Sequence, residues 1–268
     1  GVTDARDTDR LLSSDLALAL RLADLADGIS SAHFRERGLH IDTKPDRTFV
    51  TEADLAVERA IREALAADRP DDGILGEEYG TEGDASRQWI IDPIDGTSNY
   101  LRGVPVWGTL IALAIDGKPV IGVVSSPALG KRWWAEAGDG AWPPDAPGAQ
   151  PRPIRVSAVA DLEHASISFQ SIAQWDEAGY LDRLVALTRR VWRDRAYGDM
   201  WSYMLLAEGL LDAVGEFDVK TYDLAALIPI VEEAGGAFTS ATGEPGPANG
   251  SSLASNGLLH PALLEALA

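Results

Sequence analysis

The sequence contains no cysteine and is poor in positive charge. The lack of cysteine excludes disulfide bonds, a thiolate nucleophile and zinc or iron–sulfur sites held by thiolates. The chain has 23 Lys and Arg against 42 Asp and Glu, a formal net charge of −19. Nucleic acids and anionic membranes require a positive surface, so we expect neither as a partner. A small phosphorylated substrate stays compatible with this charge, because a bound metal ion can reverse the local sign.

Long hydrophobic runs are also missing. The longest strongly apolar stretch, residues 107–115, is far too short to cross a bilayer. The N-terminal segment carries Asp4, Asp7 and Asp9, whereas a secretory signal begins basic and then becomes apolar. We therefore expect a cytoplasmic protein. Its 268 residues are enough to bury a large core in one large domain or two moderate ones.

The first half of the chain has the pattern of helices followed by strands. Helical periodicity covers residues 11–37 and a segment that begins after Thr51, where Asp54 completes a capping box. Five apolar runs typical of strands follow, at residues 73–76, 89–91, 110–115, 120–124 and 132–136. The Asp-Gly pair at 116–117 separates two of them as in a β-hairpin. We predict helices packed on a mostly antiparallel sheet for residues 1–145.

The second half alternates strands and helices. A proline-rich loop at 143–153 precedes it. The predicted strands are 165–169, 191–193 and 213–217, and the predicted helices are 180–188, 198–211 and 223–234. This alternation predicts an α/β part for residues 146–268.

The most informative stretch is residues 89–97, with the sequence WIIDPIDGT. An apolar strand runs directly into Asp92, and a proline and a glycine then allow a sharp turn. Such a turn could gather the carboxylates of Asp92 and Asp95 and the carbonyl of Ile94, three oxygen ligands that suit Mg²⁺. The alternative is a solvated acidic turn, because Asp-Pro and Asp-Gly are common turn dipeptides.

Other candidate residues are ambiguous when taken singly. The amides of Gly96 and Thr97 open the next element and could hold a phosphate oxygen. Glu77 and Glu78 follow a short strand, where acidic residues are usually solvated. Asp223 begins a predicted helix, where a carboxylate is favoured for capping alone.

Together these segments resemble the inositol monophosphatase family of Mg²⁺-dependent phosphomonoesterases. The matching pieces are GEE at 76–78, WIIDPIDGT at 89–97, YDLAA at 222–226 and GG at 235–236. The family usually has Trp where this chain has Tyr222. The resemblance implies an α+β or α/β fold, a layered αβαβα sandwich of the inositol monophosphatase and fructose bisphosphatase type, and a homodimer.

The resemblance also assigns roles to individual residues. It implies two sets of Mg²⁺ ligands: Glu77, Asp92 and the Ile94 carbonyl for one ion, and Asp92, Asp95 and Asp223 for a second. Two or three Mg²⁺ ions per site are implied, with Mn²⁺ as an alternative metal, and Glu78 supports them as an outer or third-metal carboxylate.

The implied nucleophile is a metal-bound water. Thr97 and Asp54 orient this water with the help of Glu77, while Gly96, Thr97 and Ser98 bind the phosphate. Two metal ions that clamp the attacking and leaving oxygens make a protein nucleophile unnecessary. This agrees with the missing cysteine and with four histidines that all lie outside the motifs.

Within the family, the stretches 95–107, 125–129 with 132–134, and 195–199 resemble the histidinol-phosphate phosphatase branch. Asp199 and Glu216 would give the leaving-group pocket two negative charges, which suit a cationic alcohol such as histidinol. Arg195 is a further candidate for substrate binding. The structural alternatives are a helix N-cap for Asp199, a solvated strand end for Glu216 and pairing with an acid for Arg195.

These observations favour a Mg²⁺-dependent phosphomonoesterase that hydrolyses L-histidinol phosphate in histidine biosynthesis. One alternative is an inositol-1-phosphate or sugar monophosphatase of broader specificity. A more distant alternative is a non-catalytic binding module on the same fold, which predicts at least one missing metal ligand. Every ligand position of the motif carries a suitable residue here.

Overall fold

A computed structural model describes residues 12–34, 41–44, 49–143 and 152–268. The helices in these ranges are α1 (Ser14–His33), α2 (Glu52–Asp68), α3 (Thr97–Arg102), α4 (Ile172–Glu177), α5 (Leu181–Thr188), α6 (Asp199–Ala207), α7 (Thr221–Leu224), α8 (Leu227–Glu233) and α9 (His260–Leu267). The strands are β1 (Ile41–Thr43), β2 (Phe49–Thr51), β3 (Gly73–Gly76), β4 (Gly80–Glu82), β5 (Arg87–Asp95), β6 (Gly108–Ile115), β7 (Lys118–Ser126), β8 (Lys131–Glu136), β9 (Ala141–Trp142), β10 (Ser166–Ser168), β11 (Arg193–Arg195), β12 (Ala213–Phe217), β13 (Ala237–Thr239) and β14 (Ser251–Ser255). In the part of the chain described, no helix combines the length and apolar character needed to cross a membrane.

The first sheet has the strand order β4-β3-β5-β6-β7-β8-β9 within the described residues. All its pairs are antiparallel except β3 with β5, which confirms the mostly antiparallel sheet predicted for the first half. Asp116 and Gly117 both adopt positive φ, 50° and 82°, and form the predicted hairpin turn between β6 and β7.

Both faces of this sheet are covered, which explains its uninterrupted apolar runs. Trp89 and Ile91 of β5 face a core shared with α1 and α2, whereas Ile90 faces a core shared with α6 and α8. Successive side chains of a strand point to opposite faces, so a strand buried on both faces needs apolar residues at every position.

The second sheet has the order β11-β10-β12-β14-β13 among the described strands and mixes parallel and antiparallel pairs. Helices α6 and α8 lie between the two sheets, and α4, α5 and α9 cover the far face of the second sheet. The layers therefore run α1/α2, first sheet, α6/α8, second sheet, α4/α5/α9. This arrangement is the αβαβα sandwich that the family resemblance implies.

Several predicted boundaries were wrong. Helix α6 ends at Ala207 rather than near 211, because Gly209 turns the chain with φ 78°. The helix predicted at 223–234 is two helices, α7 and α8, and the break lets Pro229 stand in the first turn of α8, where a missing N–H is tolerated.

Two further differences concern segment ends. The strand predicted at 191–193 lies two residues later, as β11. Helix α1 spans Ser14–His33 only. Residue 11 and residues 35–37 of the predicted first helix lie outside the described residues, as does most of the predicted loop at 143–153.

Candidate active site

The acidic motif lies where β5 ends and the chain turns into α3. The pairing of β5 with β6 shifts register between Asp92 and Asp95, so the strand is irregular at the motif. Gly96 then takes φ 84°, and a Cβ atom at this position would lie 2.8 Å from the Val106 carbonyl oxygen. Glycine is therefore required here for both its conformation and its small size.

Asp223 joins the two aspartates from α7. Oxygens of Asp92, Asp95 and Asp223 all lie within 4.8 Å of one another. The Met200 amide donates to Asp95 Oδ2 at 2.8 Å, and the Lys220 amide donates to Asp223 Oδ2 at 2.8 Å. Asp223 thus caps its own helix, as the structural alternative predicted, and also belongs to the acidic cluster.

This cluster has the properties of a cation site. Asp92 is 1% exposed, and its Oδ1 atom is buried without a hydrogen-bond partner. Burial and the neighbouring carboxylates raise the pKa of Asp92 and of Asp95 well above the ordinary value, and they raise the pKa of Asp223 to about 6. Buried carboxylates are costly unless a cation compensates them, and an all-oxygen donor set suits a hard divalent ion.

Glu77 lies beside the cluster in a turn that a buried glutamate shapes. The Glu77 amide donates to the Ile91 carbonyl at 3.2 Å. Glu58 of α2 accepts the amides of Glu78 and Tyr79, both at 2.8 Å. Its carboxyl group packs so closely that a Cβ atom on Gly76 would lie 2.5 Å from it. Glu58 therefore positions the chain on both sides of Glu77.

Lys44 faces the two adjacent glutamates. Its Nζ atom lies 3.1 Å from Glu77 Oε1 and 2.8 Å from Glu78 Oε1. Burial raises the pKa of Glu78 to about 7 despite the hydrogen bond from Lys44. Glu78 is thus turned toward an ammonium group and is not among the described residues that line the cleft.

Asp54 and Thr97 form the predicted pair. The Thr97 hydroxyl lies 3.1 Å from Asp54 Oδ1 and 3.0 Å from the Ile94 carbonyl oxygen. The other Asp54 oxygen accepts the amide and the hydroxyl of Thr51, at 2.9 and 2.6 Å, and completes the predicted capping box. Burial raises the pKa of Asp54 to about 6.

Asp199 and Glu216 lie on the opposite elements of the same cleft, on α6 and β12. Asp199 adopts φ 49°, and its Oδ2 accepts a hydrogen bond from Asn99 Nδ2 at 2.9 Å. Glu216 Oε1 accepts the Tyr203 hydroxyl at 2.6 Å. Burial raises the pKa of Asp199 to about 6 and that of Glu216 to about 8.

These contacts exclude the two structural alternatives, an N-cap role for Asp199 and a solvated strand end for Glu216. Gly198 holds the N-cap position of α6, so Asp199 is not the N-cap. Glu216 is half-buried and hydrogen-bonded rather than a freely solvated strand end.

Arg195 is placed differently from the other candidates. It is exposed on β11, and its Nη1 atom donates to the Asp194 carbonyl at 2.6 Å. It is absent from the described lining of the cleft, whereas Gly96, Thr97 and Ser98 belong to it. The structure therefore does not bring Arg195 to the other candidate substrate-binding residues.

The cleft that joins these groups is strongly acidic. Its volume is about 340 Å³. The carboxylates that line it are those of Glu77, Asp92, Asp95, Asp199, Glu216, Asp218 and Asp223, and no Lys or Arg lines it among the described residues. A phosphate ester can enter such a cleft only when cations compensate these charges.

Comparison with known proteins identifies the family. The model of the inositol monophosphatase family matches residues 9–268. The chain belongs to the inositol monophosphatase family. A histidinol-phosphatase from Mycobacterium tuberculosis is 54% identical over 254 residues, which cover 94% of this chain and 97% of that protein. A histidinol-phosphatase from Streptomyces coelicolor is 50% identical over 254 residues, covering 93% and 95%.

A solved member of the family shares the fold. The structure of an inositol monophosphatase from Zymomonas mobilis superposes with a TM-score of 0.81 at 34% identity, covering 96% of this chain and 99% of that one. The predicted family and fold are thus confirmed, and the chain is a phosphatase of the inositol monophosphatase family.

Three residues that contact the acidic groups of this chain were not predicted from the sequence. Glu58 and Lys44 contact the glutamate turn, and Tyr203 contacts Glu216. Tyr203 could have been found, since it follows Asp199 by four residues and helical spacing places both on one face. Glu58 directly follows Val57 in the helical segment after Thr51, and both side chains are fully buried in α2. An acid beside apolar positions of a helix signals a buried partner.

Proposed function

We propose that this phosphatase hydrolyses L-histidinol phosphate to L-histidinol and phosphate, with Mg²⁺ as cofactor, in histidine biosynthesis. The observation that carries the substrate is the pair Asp199 and Glu216, which adds two carboxylates to a cleft without basic lining residues among those described. A cation beside these two carboxyl groups lowers their pKa and favours their ionised form. Histidinol offers an ammonium group and an imidazole that can protonate, so it complements the ionised pair, whereas a neutral polyol does not. The names of the two relatives support the same substrate.

The residues present fit a divalent metal. Asp92, Asp95 and Asp223 would hold it together with Glu77 and the Ile94 carbonyl, and the buried unpartnered Oδ1 of Asp92 supports this set. When bound, Mg²⁺ polarises the phosphoryl oxygens and lowers the pKa of water. Two or three ions, with Mn²⁺ as an alternative, belong to this proposal.

The protein itself orients the nucleophilic water and the phosphate. When the Thr97 hydroxyl donates its proton to Asp54, its oxygen lone pairs are left to accept from a water molecule. Gly96, Thr97 and Ser98 line the cleft beside the acids and would contact the phosphate oxygens. Asp54 and Thr97 thus orient a water without acting as nucleophiles. Glu77 lies beside the acidic cluster and would help to hold this water.

A substrate panel tests the proposed specificity. Phosphate release from L-histidinol phosphate, inositol 1-phosphate and fructose 1,6-bisphosphate should be compared at equal enzyme and Mg²⁺ concentrations. We expect histidinol phosphate to have the highest kcat/KM, and Asp199→Asn or Glu216→Gln to reduce that preference. A clear preference for inositol phosphate would contradict the argument from pocket charge and favour the broader monophosphatase.

Asp95→Asn tests the metal site. Removing one charge from the cluster should abolish Mg²⁺-dependent turnover and shrink the rise in melting temperature that MgCl₂ produces. The metal-free variant should melt no lower than the metal-free parent, because carboxylate repulsion decreases. Asp176→Asn, on exposed α4, is the matched control. Full activity of Asp95→Asn would refute the assignment.

Two further properties complete the proposal. We expect the protein to be a homodimer, which sedimentation equilibrium tests directly. We also expect it to act in the cytoplasm, where cell fractionation with antibody detection should find it.

A further inference from the structure

Gln170 stands directly behind the turn that carries Asp199. It follows β10 and adopts φ 66°, a left-handed conformation that is uncommon for residues other than glycine. Such a backbone persists only where its surroundings hold it in place, and these sites concentrate near functional residues. Gln170 does not itself line the cleft.

Both ends of the Gln170 side-chain amide are hydrogen-bonded. Its Oε1 atom accepts from Ser202 Oγ at 2.6 Å, from Ser168 Oγ at 3.0 Å and from the Gly198 amide at 3.3 Å. Its Nε2 atom donates to the Asp199 carbonyl at 3.1 Å.

These partners determine which way the amide points. A flipped amide would set its NH₂ group against the Gly198 N–H and its oxygen against the Asp199 carbonyl. The orientation with Nε2 toward the Asp199 carbonyl is therefore the one that satisfies every partner.

The turn itself needs this support. Gly198 has φ 93° and Asp199 has φ 49°, so two consecutive residues lie in the left-handed region. The Gly198 amide also donates to Ser202 Oγ at 2.9 Å, and the Tyr197 amide donates to Ser168 Oγ at 3.1 Å. Together with Gln170, the two serines hold the backbone in a shape that directs the Asp199 carboxylate into the cleft.

We propose that Gln170 is a positioning residue for substrate specificity: its neutral amide fixes the backbone of Asp199, and with it the Asp199 carboxylate, in the geometry that receives a cationic leaving group. This role rests on the function proposed above. A neutral donor suits the task, because an Arg or Lys at this position would add a positive charge beside Asp199 and offset the charge of its carboxylate.

Two variants separate this role from a general structural one. Gln170→Met keeps the length of the side chain and removes its hydrogen bonds. Gln170→Asn keeps an amide that is one methylene too short, and asparagine tolerates the left-handed backbone well, so this variant should fold even if the first does not. Gln88→Met, in β5 of the first sheet, is the control for loss of a glutamine amide elsewhere.

The assay measures kcat and KM for L-histidinol phosphate and for glycerol phosphate, a neutral-alcohol ester. Both Gln170 variants should raise KM for histidinol phosphate by about tenfold, the effect of losing one or two hydrogen bonds, and should change KM for glycerol phosphate by less than about twofold. Calorimetry should show L-histidinol binding weakened by a similar factor, with urea midpoints recorded in parallel.

The outcomes are distinct. Equal losses on both esters would show a structural role only and refute the proposal. Unchanged selectivity in both variants would refute the role of Gln170 while leaving the proposed function intact. A parent enzyme that does not prefer histidinol phosphate would refute the proposed function, and the role of Gln170 with it.

Discussion

Asp54 has two tasks, and two threonine substitutions should separate them. One of its oxygens accepts the amide and the hydroxyl of Thr51 and closes the N-terminus of α2, while the other accepts the hydroxyl of Thr97 beside the acidic cluster. The first task concerns folding and the second concerns orientation of the water. Thr51→Ala should therefore affect mainly stability, and Thr97→Val should affect mainly turnover.

The magnitudes follow from the contacts. Thr51→Ala removes the hydroxyl that accepts the Asp54 amide at 3.2 Å and donates to its carboxylate at 2.6 Å. Loss of such a cap lowers the free energy of unfolding by about 1–2 kcal/mol. Thr97→Val keeps the shape of the side chain but removes its oxygen. Loss of a group that orients the attacking water lowers kcat by about 100-fold.

The assay combines urea denaturation with initial-rate kinetics at saturating Mg²⁺. Thr97→Ser retains the hydroxyl and should keep most of the activity, so it serves as the matched control. If Thr51→Ala lowered kcat as much as Thr97→Val does, the division of tasks between the two Asp54 oxygens would be wrong. The same conclusion would follow if Thr97→Val lowered the free energy of unfolding more than Thr51→Ala does.

Two other predictions concern stability. The raised pKa of Glu216, about 8, means that the folded protein binds its proton more tightly than the unfolded chain. The free energy of unfolding of the metal-free protein should therefore fall as pH rises from 5 to 8. Glu216→Gln should reduce the slope of this pH dependence by up to about 1.4 kcal/mol per pH unit. An unchanged slope in urea titrations of the variant would contradict this. Gly76→Ala should lower the free energy of unfolding by about 1–3 kcal/mol and reduce activity, since its methyl would displace Glu58. Gly28→Ala, in α1 with open space around it, should instead raise stability by about 0.5–1 kcal/mol; equal effects of the two substitutions would refute the contact argument.

Features that depend on neighbours along the chain could be predicted from the sequence. The capping box of Thr51 and Asp54, the hairpin turn at 116–117 and the apolar strand that runs into Asp92 were all predicted correctly. Each rests on backbone geometry or hydrogen bonds within a few residues, where residue type and spacing are sufficient. The meeting of Asp92, Asp95 and Asp223 does not follow from local pattern, and the expectation that they meet came from the family resemblance.

Features that depend on residues far apart in the chain could not be predicted in this way. Local pattern favours Asp199 as an N-cap, yet the structure turns its carboxylate to Asn99, 100 residues away, and supports its backbone from Gln170. Glu58 and Lys44 likewise meet the glutamate turn across 20 and 34 residues. The sequence alone determined which oxygen-bearing side chains are available for cations and phosphate. Only the tertiary structure decided which buried groups hold them in position, because that depends on which elements the layered core brings into contact.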